Sequence, residues 1–105
     1  MATVVELTDS NFSETIKEGV TLVDFWAPWC GPCMMQGPIV ERVAEKVGDK
    51  AKVAKVNVDE AQRAAAELGI RAIPTVIVFK DGKPVEQFVG VTPEAKLISA
   101  IDKAQ

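Results

Sequence analysis

The sequence has no histidine and only two cysteines among its 105 residues, and these shortages restrict the metal chemistry open to it. A closed zinc site usually takes four ligands, most often Cys or His. A single chain of this composition would have to complete such a site with carboxylates, so we predict no metal site. The chain also lacks a basic block, because its 12 Lys and Arg are interspersed with 15 Asp and Glu. This balance does not favour a nucleic-acid partner.

A long apolar run is missing as well. No stretch approaches the ~20 residues that cross a bilayer, and residues 1–6 lack the basic and apolar segments of a secretory signal. We therefore expect a cytoplasmic protein without a membrane partner, although an exported form whose signal has been removed would share these features. What the chain does contain is 48% hydrophobic residues. That is enough to build the core of a single domain over residues 1–105.

The alternation of apolar residues and structure breakers predicts elements in the order β-α-β-α-β-α-β-β-α. Strands are expected at residues 4–7, 20–27, 51–58, 76–79 and 84–89. Helices are expected at residues 10–17, capped by Thr8 or Asp9, at 33–47 with a kink at Pro38, at 59–68, capped by Asp59, and from Pro93 onward.

The connections between these elements predict how the sheet is built. Strands joined through helices should pair in parallel by right-handed crossovers. Asp81-Gly82 signals a hairpin that adds antiparallel strands, and Pro84 favours an edge position for the last one. The sequence therefore predicts an α/β fold, a three-layer α/β/α sandwich with a mixed central five-stranded sheet and four helices.

Both cysteines lie in the stretch Trp29-Cys30-Gly31-Pro32-Cys33, between an apolar strand and a helix. At a helix start, unpaired backbone N–H groups and the helix dipole favour the thiolate, which is the reactive form of cysteine. A structural disulfide would close a very short loop and add little stability. Two idle thiols would not need the Gly-Pro spacer. We therefore predict a redox-active pair.

The position of each thiol predicts its role. We expect Cys30, exposed at the start of the helix, to attack a substrate disulfide, and the more shielded Cys33 to resolve the mixed disulfide. Gly31 and Pro32 place no positive charge between the thiols, which predicts a reductant rather than a strong oxidant. The active groups are then the thiols themselves, so no cofactor is expected beyond the Cys30–Cys33 pair.

Several stretches of this sequence are shared with a known family. They are residues 23–33 (VDFWAPWCGPC), Pro38, and residues 55–59 (KVNVD), 73–75 (IPT), 79–82 (FKDG) and 89–90 (VG). Over essentially its whole length the chain resembles the thioredoxin family. The resemblance implies the thioredoxin fold and the reduction of disulfides in oxidised client proteins. It also implies a monomer that is recharged by a flavin-dependent thioredoxin reductase.

Two supporting residues follow from the same comparison. Asp24 interrupts an apolar strand, and a buried carboxylate there would have a raised pKa. The resemblance implies that Asp24 is a buried proton acceptor and donor that assists Cys33, and that Lys55 lies near Asp24 and biases its charge. From the sequence alone Lys55 reads equally well as a solvated lysine on a strand.

The resemblance also implies a docking surface for clients. It gives Pro74 a cis peptide bond beside the thiols, where most X-Pro bonds are trans, and it gives Gly90 a place where a substrate backbone passes, although Gly90 also reads as a plain β-bulge. The expected surface comprises Trp29, Ile73, Pro74, Gly90 and Val91.

The sequence departs from the family at three positions and leaves two other functions open. Met34 stands where a basic residue is frequent, which should slightly disfavour the thiolate, and Gln36 and Gly37 replace residues that are more often apolar. Met34 and Met35 are expected mainly to pack within the helix, although Met34 is also a candidate for the apolar rim around the thiols. The alternative functions are a binding subunit that does not use its thiols and a dithiol that carries a metal between two chains.

Overall fold

The computed structural model describes residues 4–105 and has the predicted order of elements. Residues 1–3, which the sequence assigns to the same domain, lie outside the described part. The strands are β1 (Val5–Leu7), β2 (Val20–Trp26), β3 (Lys52–Asn57), β4 (Thr75–Lys80) and β5 (Lys83–Val89). The helices are α1 (Phe12–Ile16), α2 (Gly31–Val47), α3 (Gln62–Glu67) and α4 (Glu94–Ala104), with a short 3-10 turn at Gly48–Lys50.

The strands form one mixed sheet in the order β1-β3-β2-β4-β5. The pairs β1–β3 and β2–β3 are parallel, whereas β2–β4 and β4–β5 are antiparallel. The apolar strand β2 lies in the middle of the sheet, and its side chains are covered on both faces, as predicted. Strand β5, which contains Pro84, is at the edge as predicted, so the mixed sheet with four helices is confirmed.

The two faces of the sheet have separate cores, and each core is covered by its own pair of helices. Helices α2 and α4 pack on one face, against Val20, Leu22, Val53, Val76 and Val78. Helices α1 and α3 pack on the other, against Val23, Phe25, Ala54, Val56, Ile77 and Phe79. This alternation of side chains along each strand produces the three predicted layers.

The start of α1 differs from the expected one. The helix begins at Phe12, and the Asn11 carboxamide oxygen accepts a hydrogen bond from the Thr8 backbone N–H at 2.7 Å. Asp9 does not cap its own helix. Its carboxylate accepts the N–H groups of Arg63 at 3.3 Å and Ala64 at 2.8 Å instead, in the first turn of α3. A carboxylate there satisfies N–H groups that have no partner within the helix.

The cap predicted for α3 is therefore wrong. Asp59 lies before the helix, which begins at Gln62, and its Oδ2 accepts a hydrogen bond from Trp29 Nε1 at 2.8 Å. The expected capping function is supplied from more than fifty residues away, by Asp9. Local spacing cannot reveal such a cap, since it depends on the tertiary contact between the two segments.

The remaining boundaries differ by a few residues. Helix α2 begins two residues earlier than expected, with Pro32 in its first turn, and ends at Val47. Its C-cap is Gly48, whose φ of 54° favours glycine. Pro93 lies at the N-cap of α4 rather than inside its first turn. At the β4–β5 turn, Asp81 and Gly82 both have positive φ, as a type I′ hairpin requires.

Candidate active site

The two cysteines lie where β2 gives way to α2. Cys30 is the N-cap residue of α2, with an extended backbone, and its N–H donates to the Ala27 carbonyl at 3.1 Å. The Cys30 Sγ accepts a hydrogen bond from the backbone N–H of Cys33 at 3.2 Å. The two sulfurs are joined in a disulfide. The sulfur of Cys30 thus occupies the place of a capping oxygen, where the helix N-terminus stabilises negative charge.

Cys30 is more buried than its predicted role suggested, whereas Cys33 is shielded as predicted. Cys30 is 5% exposed and Cys33 is 2% exposed. The expectation of an exposed Cys30 is wrong for this disulfide form, because Ile73 and Trp26 pack against the cysteine pair. The carbonyl oxygen of Ile73 lies 3.8 Å from Cys30 Sγ. The segment that contains Ile73 therefore covers part of Cys30.

That segment continues into Pro74, and the Ile73–Pro74 peptide bond is cis. The carbonyl of Pro74 accepts the backbone N–H of Gly90 at 2.8 Å. Gly90 has φ of 92° and follows the end of β5. The irregularity in the β4–β5 ladder lies at Val78 and Phe79 instead. The interpretation of Gly90 as a bulge in the ladder is thus wrong, and the positive φ explains the glycine.

The surface around the disulfide is apolar and open. Trp29 is 70% exposed, and its indole is oriented by the hydrogen bond from Nε1 to Asp59. Val91 is also exposed. Met34 and Met35 are exposed on α2, so the expectation that they pack within the helix is wrong. Exposed large apolar side chains next to reactive groups are typical of an interaction surface.

Asp24 lies on the sheet face that α2 and α4 cover, and it is almost fully buried. Its neighbours across the sheet are Lys55 on β3 and Val76 on β4. Burial raises the pKa of Asp24 to about 7, and the positive charge of Lys55 opposes that rise. Its Oδ1 makes no hydrogen bond to any of residues 4–105. A carboxyl group with this pKa gains or loses a proton near neutral pH.

Lys55 joins this acid to the cysteine cluster. Its side chain is partly buried, and its Nζ lies 5.2 Å from the centroid of the Trp26 ring, within the range of a cation–π contact. Trp26 in turn packs against the buried pair of Cys30 and Cys33. Lys55 is therefore held beside Asp24 by an aromatic ring and is not a freely solvated lysine.

Sequence reasoning missed the part played by Gln36, which it noted only as a departure from the family. Gln36 is fully buried in α2, and its carboxamide makes two hydrogen bonds to the backbone of Thr92. A signal was present in the sequence, because Gln36 lies four and seven residues before Val40 and Val43 on the apolar face of the helix. A polar residue on such a face needs a buried partner.

Residues 4–105 contain no group of three or more His, Cys, Asp or Glu side chains close enough to hold a metal ion. Within the same range no helix has the length and hydrophobicity needed to cross a membrane.

A cysteine pair at the N-terminus of a helix, next to a cis-proline on a three-layer α/β/α fold, defines a thiol-disulfide oxidoreductase. The chain belongs to the thioredoxin family, whose model, described as "Thioredoxin", matches residues 3–103. Thioredoxin of Staphylococcus haemolyticus is 50% identical over 95% of this chain and 96% of its own. Thioredoxin of Bacillus subtilis is 47% identical over 95% of this chain and 96% of its own.

The solved structures agree with the sequence relatives. The crystal structure of Malassezia sympodialis thioredoxin is 39% identical, covers 99% of this chain and 92% of that chain, and superposes with a TM-score of 0.88. The predicted family and thioredoxin fold are confirmed. The chain is a thiol-disulfide oxidoreductase, and its disulfide reductase function is supported by the family and by the cysteine pair.

Proposed function

We propose that this protein reduces disulfides in client proteins with two electrons from Cys30 and Cys33 and is recharged by a flavin-dependent thioredoxin reductase. The observation that carries the proposal is the position of Cys30 Sγ. This atom accepts the Cys33 N–H at the start of α2 and is bonded to Cys33 Sγ. After reduction the same N–H group would stabilise Cys30 as a thiolate, and Cys33 Sγ is close enough to attack Cys30 Sγ and displace a client sulfur bonded to it.

In the first step the Cys30 thiolate attacks one sulfur of the client disulfide. A mixed disulfide forms between Cys30 and the client, and the other client sulfur leaves as a thiolate that takes a proton from water. Gly31 and Pro32 support this step by starting the helix immediately after Cys30, which directs the N–H of Cys33 at the Cys30 sulfur.

In the second step Cys33 resolves the mixed disulfide. Its thiol loses a proton, its sulfur attacks Cys30 Sγ, and the second client thiolate leaves, so two electrons have passed from the cysteine pair to the client. We assign Asp24 as the proton acceptor of Cys33, because its pKa of about 7 lets it accept a proton at neutral pH. Lys55 tunes this group, since its charge favours the carboxylate.

We assign client docking to Trp29, Ile73, Pro74, Gly90 and Val91. Trp29 and Val91 offer exposed apolar surface, and the Ile73 carbonyl lies 3.8 Å from Cys30 Sγ. A client backbone that crosses this surface would place its disulfide next to Cys30. We further propose a single-domain monomer that works in the cytoplasm, where thiols are kept reduced, without a metal, membrane or nucleic-acid partner.

The Cys33→Ser variant tests the order of the two thiols. Incubated with insulin, it should accumulate a covalent adduct through Cys30 that dithiothreitol releases, because the resolving thiol is gone. The matched Cys30→Ser variant should form no adduct. Mass spectrometry of the adducts measures the outcome. Equal trapping by the two variants would contradict the assigned roles.

A coupled assay tests turnover and recharging. With NADPH and a bacterial thioredoxin reductase, the wild-type protein should support continuous insulin reduction, and the double Cys30→Ser, Cys33→Ser variant should support none. A variant without thiols that retained the protein's cellular function would favour the non-redox binding subunit instead. Metal analysis of the purified wild-type protein tests the metal-carrying dithiol.

A further inference from the structure

We propose that Gln36 is a positioning residue, which fixes the docking loop (Gly90–Thr92) relative to the cysteine-bearing helix and thereby sets the affinity for protein disulfides. The inference rests on the proposed function, since it concerns how the same surface holds a client. Nothing in the resemblance supplies it, because Gln36 is a position at which this chain departs from the family's apolar residues.

The contact between Gln36 and Thr92 resembles one rung of a β-ladder. Thr92 donates its backbone N–H to Gln36 Oε1 at 2.7 Å, and Gln36 Nε2 donates to the Thr92 carbonyl at 3.1 Å. Gln36 has no exposed surface, and Thr92 is also buried. Both backbone groups of Thr92 are therefore satisfied by one side chain of α2, in a place where an unpaired polar group is costly.

The hydrogen bonds continue from Thr92 to the residues around the disulfide. Thr92 Oγ1 donates to the Gly90 carbonyl at 3.0 Å, and the Gly90 N–H donates to the Pro74 carbonyl at 2.8 Å. Gln36 itself lies three residues after Cys33 in the same helix. A series of hydrogen bonds thus connects the helix that holds the thiols to both segments that flank them, the docking loop and the Pro74 segment.

A contact between α2 and α4 provides a matched control. Glu94, at the start of α4, accepts Arg42 Nε at 3.0 Å and also pairs with Lys46, both from α2. These pairs are at the surface, where ion pairs contribute little. They hold α4 to α2 without touching the docking loop. A variant without the Glu94 charge therefore tests whether weaker contact between α2 and α4 is enough to change activity. A variant without the Gln36 carboxamide tests whether the position of the docking loop matters.

The consequence concerns large substrates more than small ones. A protein client must bind along the docking loop, so a loop that has lost its fixed place binds it less well. A small aromatic disulfide such as 5,5′-dithiobis(2-nitrobenzoate) reacts with the thiols without a backbone to dock. Loss of the Gln36 contact should therefore raise KM for a protein client and not for the small disulfide. The chemical step at Cys30 and Cys33 should be the same for both substrates.

The test uses Gln36→Met, which keeps the length and nearly the volume of the side chain but removes both hydrogen bonds. KM for insulin should rise roughly tenfold, the scale set by an unsatisfied buried polar pair. The kcat for insulin and the rate with the small disulfide should change less than about twofold. Glu94→Gln should leave all three values near those of the wild type. Parallel losses with both substrates, or an unchanged KM, would overturn the inference.

Hydrogen exchange gives a readout that does not depend on activity. The Thr92 amide of the wild-type protein should exchange slowly, at a rate similar to amides of the central strands, and Gln36→Met should speed its exchange at least tenfold while those strands stay protected. Fast exchange in the wild type would overturn the inference even if the variant failed to fold. Slow exchange in a protein that does not reduce insulin would instead contradict the proposed function alone.

Discussion

The two faces of the central sheet are equally well covered but differ in chemistry. The face under α1 and α3 is packed with large apolar side chains, and the Phe12 ring meets those of Phe25 and Phe79 at centroid distances of 6.2 and 5.8 Å. The face under α2 and α4 has a core of smaller aliphatic residues and also buries Asp24 and Gln36. Among the described residues, Asp24 is the one buried carboxyl group.

This difference suggests that the face under α1 and α3 contributes mainly to stability, whereas the face under α2 and α4 also contains groups that we propose to serve the reaction. Tight aromatic and aliphatic packing stabilises the face under α1 and α3. Burial of a carboxyl group opposes stability whenever that group is ionised, yet the same burial raises the pKa of Asp24 to about 7, which suits the proton transfer that we propose for it. We therefore expect a substitution in the apolar core under α1 and α3 to lower stability and leave activity nearly unchanged. Substitution of the buried acid under α2 and α4 should raise stability and lower activity.

The largest effect is expected from Phe79→Ala on the α1–α3 face. Removal of a fully buried ring that contacts Phe12 should lower the free energy of unfolding by about 3–5 kcal/mol. The rate of insulin reduction per folded molecule should stay within about twofold, because the ring lies on the face away from Asp24. Urea unfolding followed by fluorescence measures the first quantity, and a turnover assay well below the midpoint measures the second.

Phe79→Leu is the control for that experiment. It keeps most of the apolar volume and should lose only part of the stability lost by Phe79→Ala. A folded Phe79→Ala protein that had lost most of its turnover would contradict the separation of the two faces.

The next effect has the opposite sign. Asp24→Asn should raise the free energy of unfolding at pH 8 by up to about 4 kcal/mol, at about 1.4 kcal/mol per pKa unit, because it removes a buried charge. In the unfolded chain Asp24 loses its proton near pH 3.8, whereas in the folded protein it keeps it until about pH 7. The stability of the wild type should therefore fall as pH rises from about 4 to about 7 and level off above.

Unfolding curves at pH 5 and pH 8 measure this prediction. The gain in stability from Asp24→Asn should be larger at pH 8 than at pH 5, and the turnover of the variant should fall because Cys33 has lost the proton acceptor that we propose for it. The control is Asp49→Asn, an exposed carboxylate outside the core, whose effect on stability should be small at both pH values. An equal gain at both pH values would show that Asp24 does not titrate near neutrality in the folded protein.

Much of this comparison could be predicted from the sequence, since it depends on local patterns. The apolar run of β2 predicted the central strand, and the single acid within it, Asp24, predicted a buried titratable group. Residues 29–33 predicted the thiol pair at a helix start because the chemistry and the helix signal are adjacent in the chain. Wherever a motif and its structural context lie within one segment, the pattern is sufficient.

The parts that could not be predicted depend on partners distant in the chain. Asp9 caps α3, and Asp59 is paired with Trp29, so both carboxylates serve segments other than those they adjoin. Gln36 needed Thr92, which lies 56 residues away. Cys30 is covered by Ile73, a residue from the other half of the chain. Residue propensities and hydrophobic periodicity describe one segment at a time, so they cannot predict contacts between distant segments.

The smallest effect is expected from Lys55→Gln, which refines the comparison within the α2–α4 face. The charge of Lys55 lowers the pKa of Asp24, so its removal should move that pKa above about 7. The midpoint of the pH dependence of insulin reduction should then move to higher pH. The stability lost should be about 1 kcal/mol or less, mainly from the contact with Trp26.

Asp24→Asn provides the background control, because Lys55→Gln should no longer change the pH profile in a protein that already has Asn at position 24. A profile that shifted equally in both backgrounds would mean that Lys55 acts on another group, such as a cysteine thiol, and that Asp24 is not the acid it tunes.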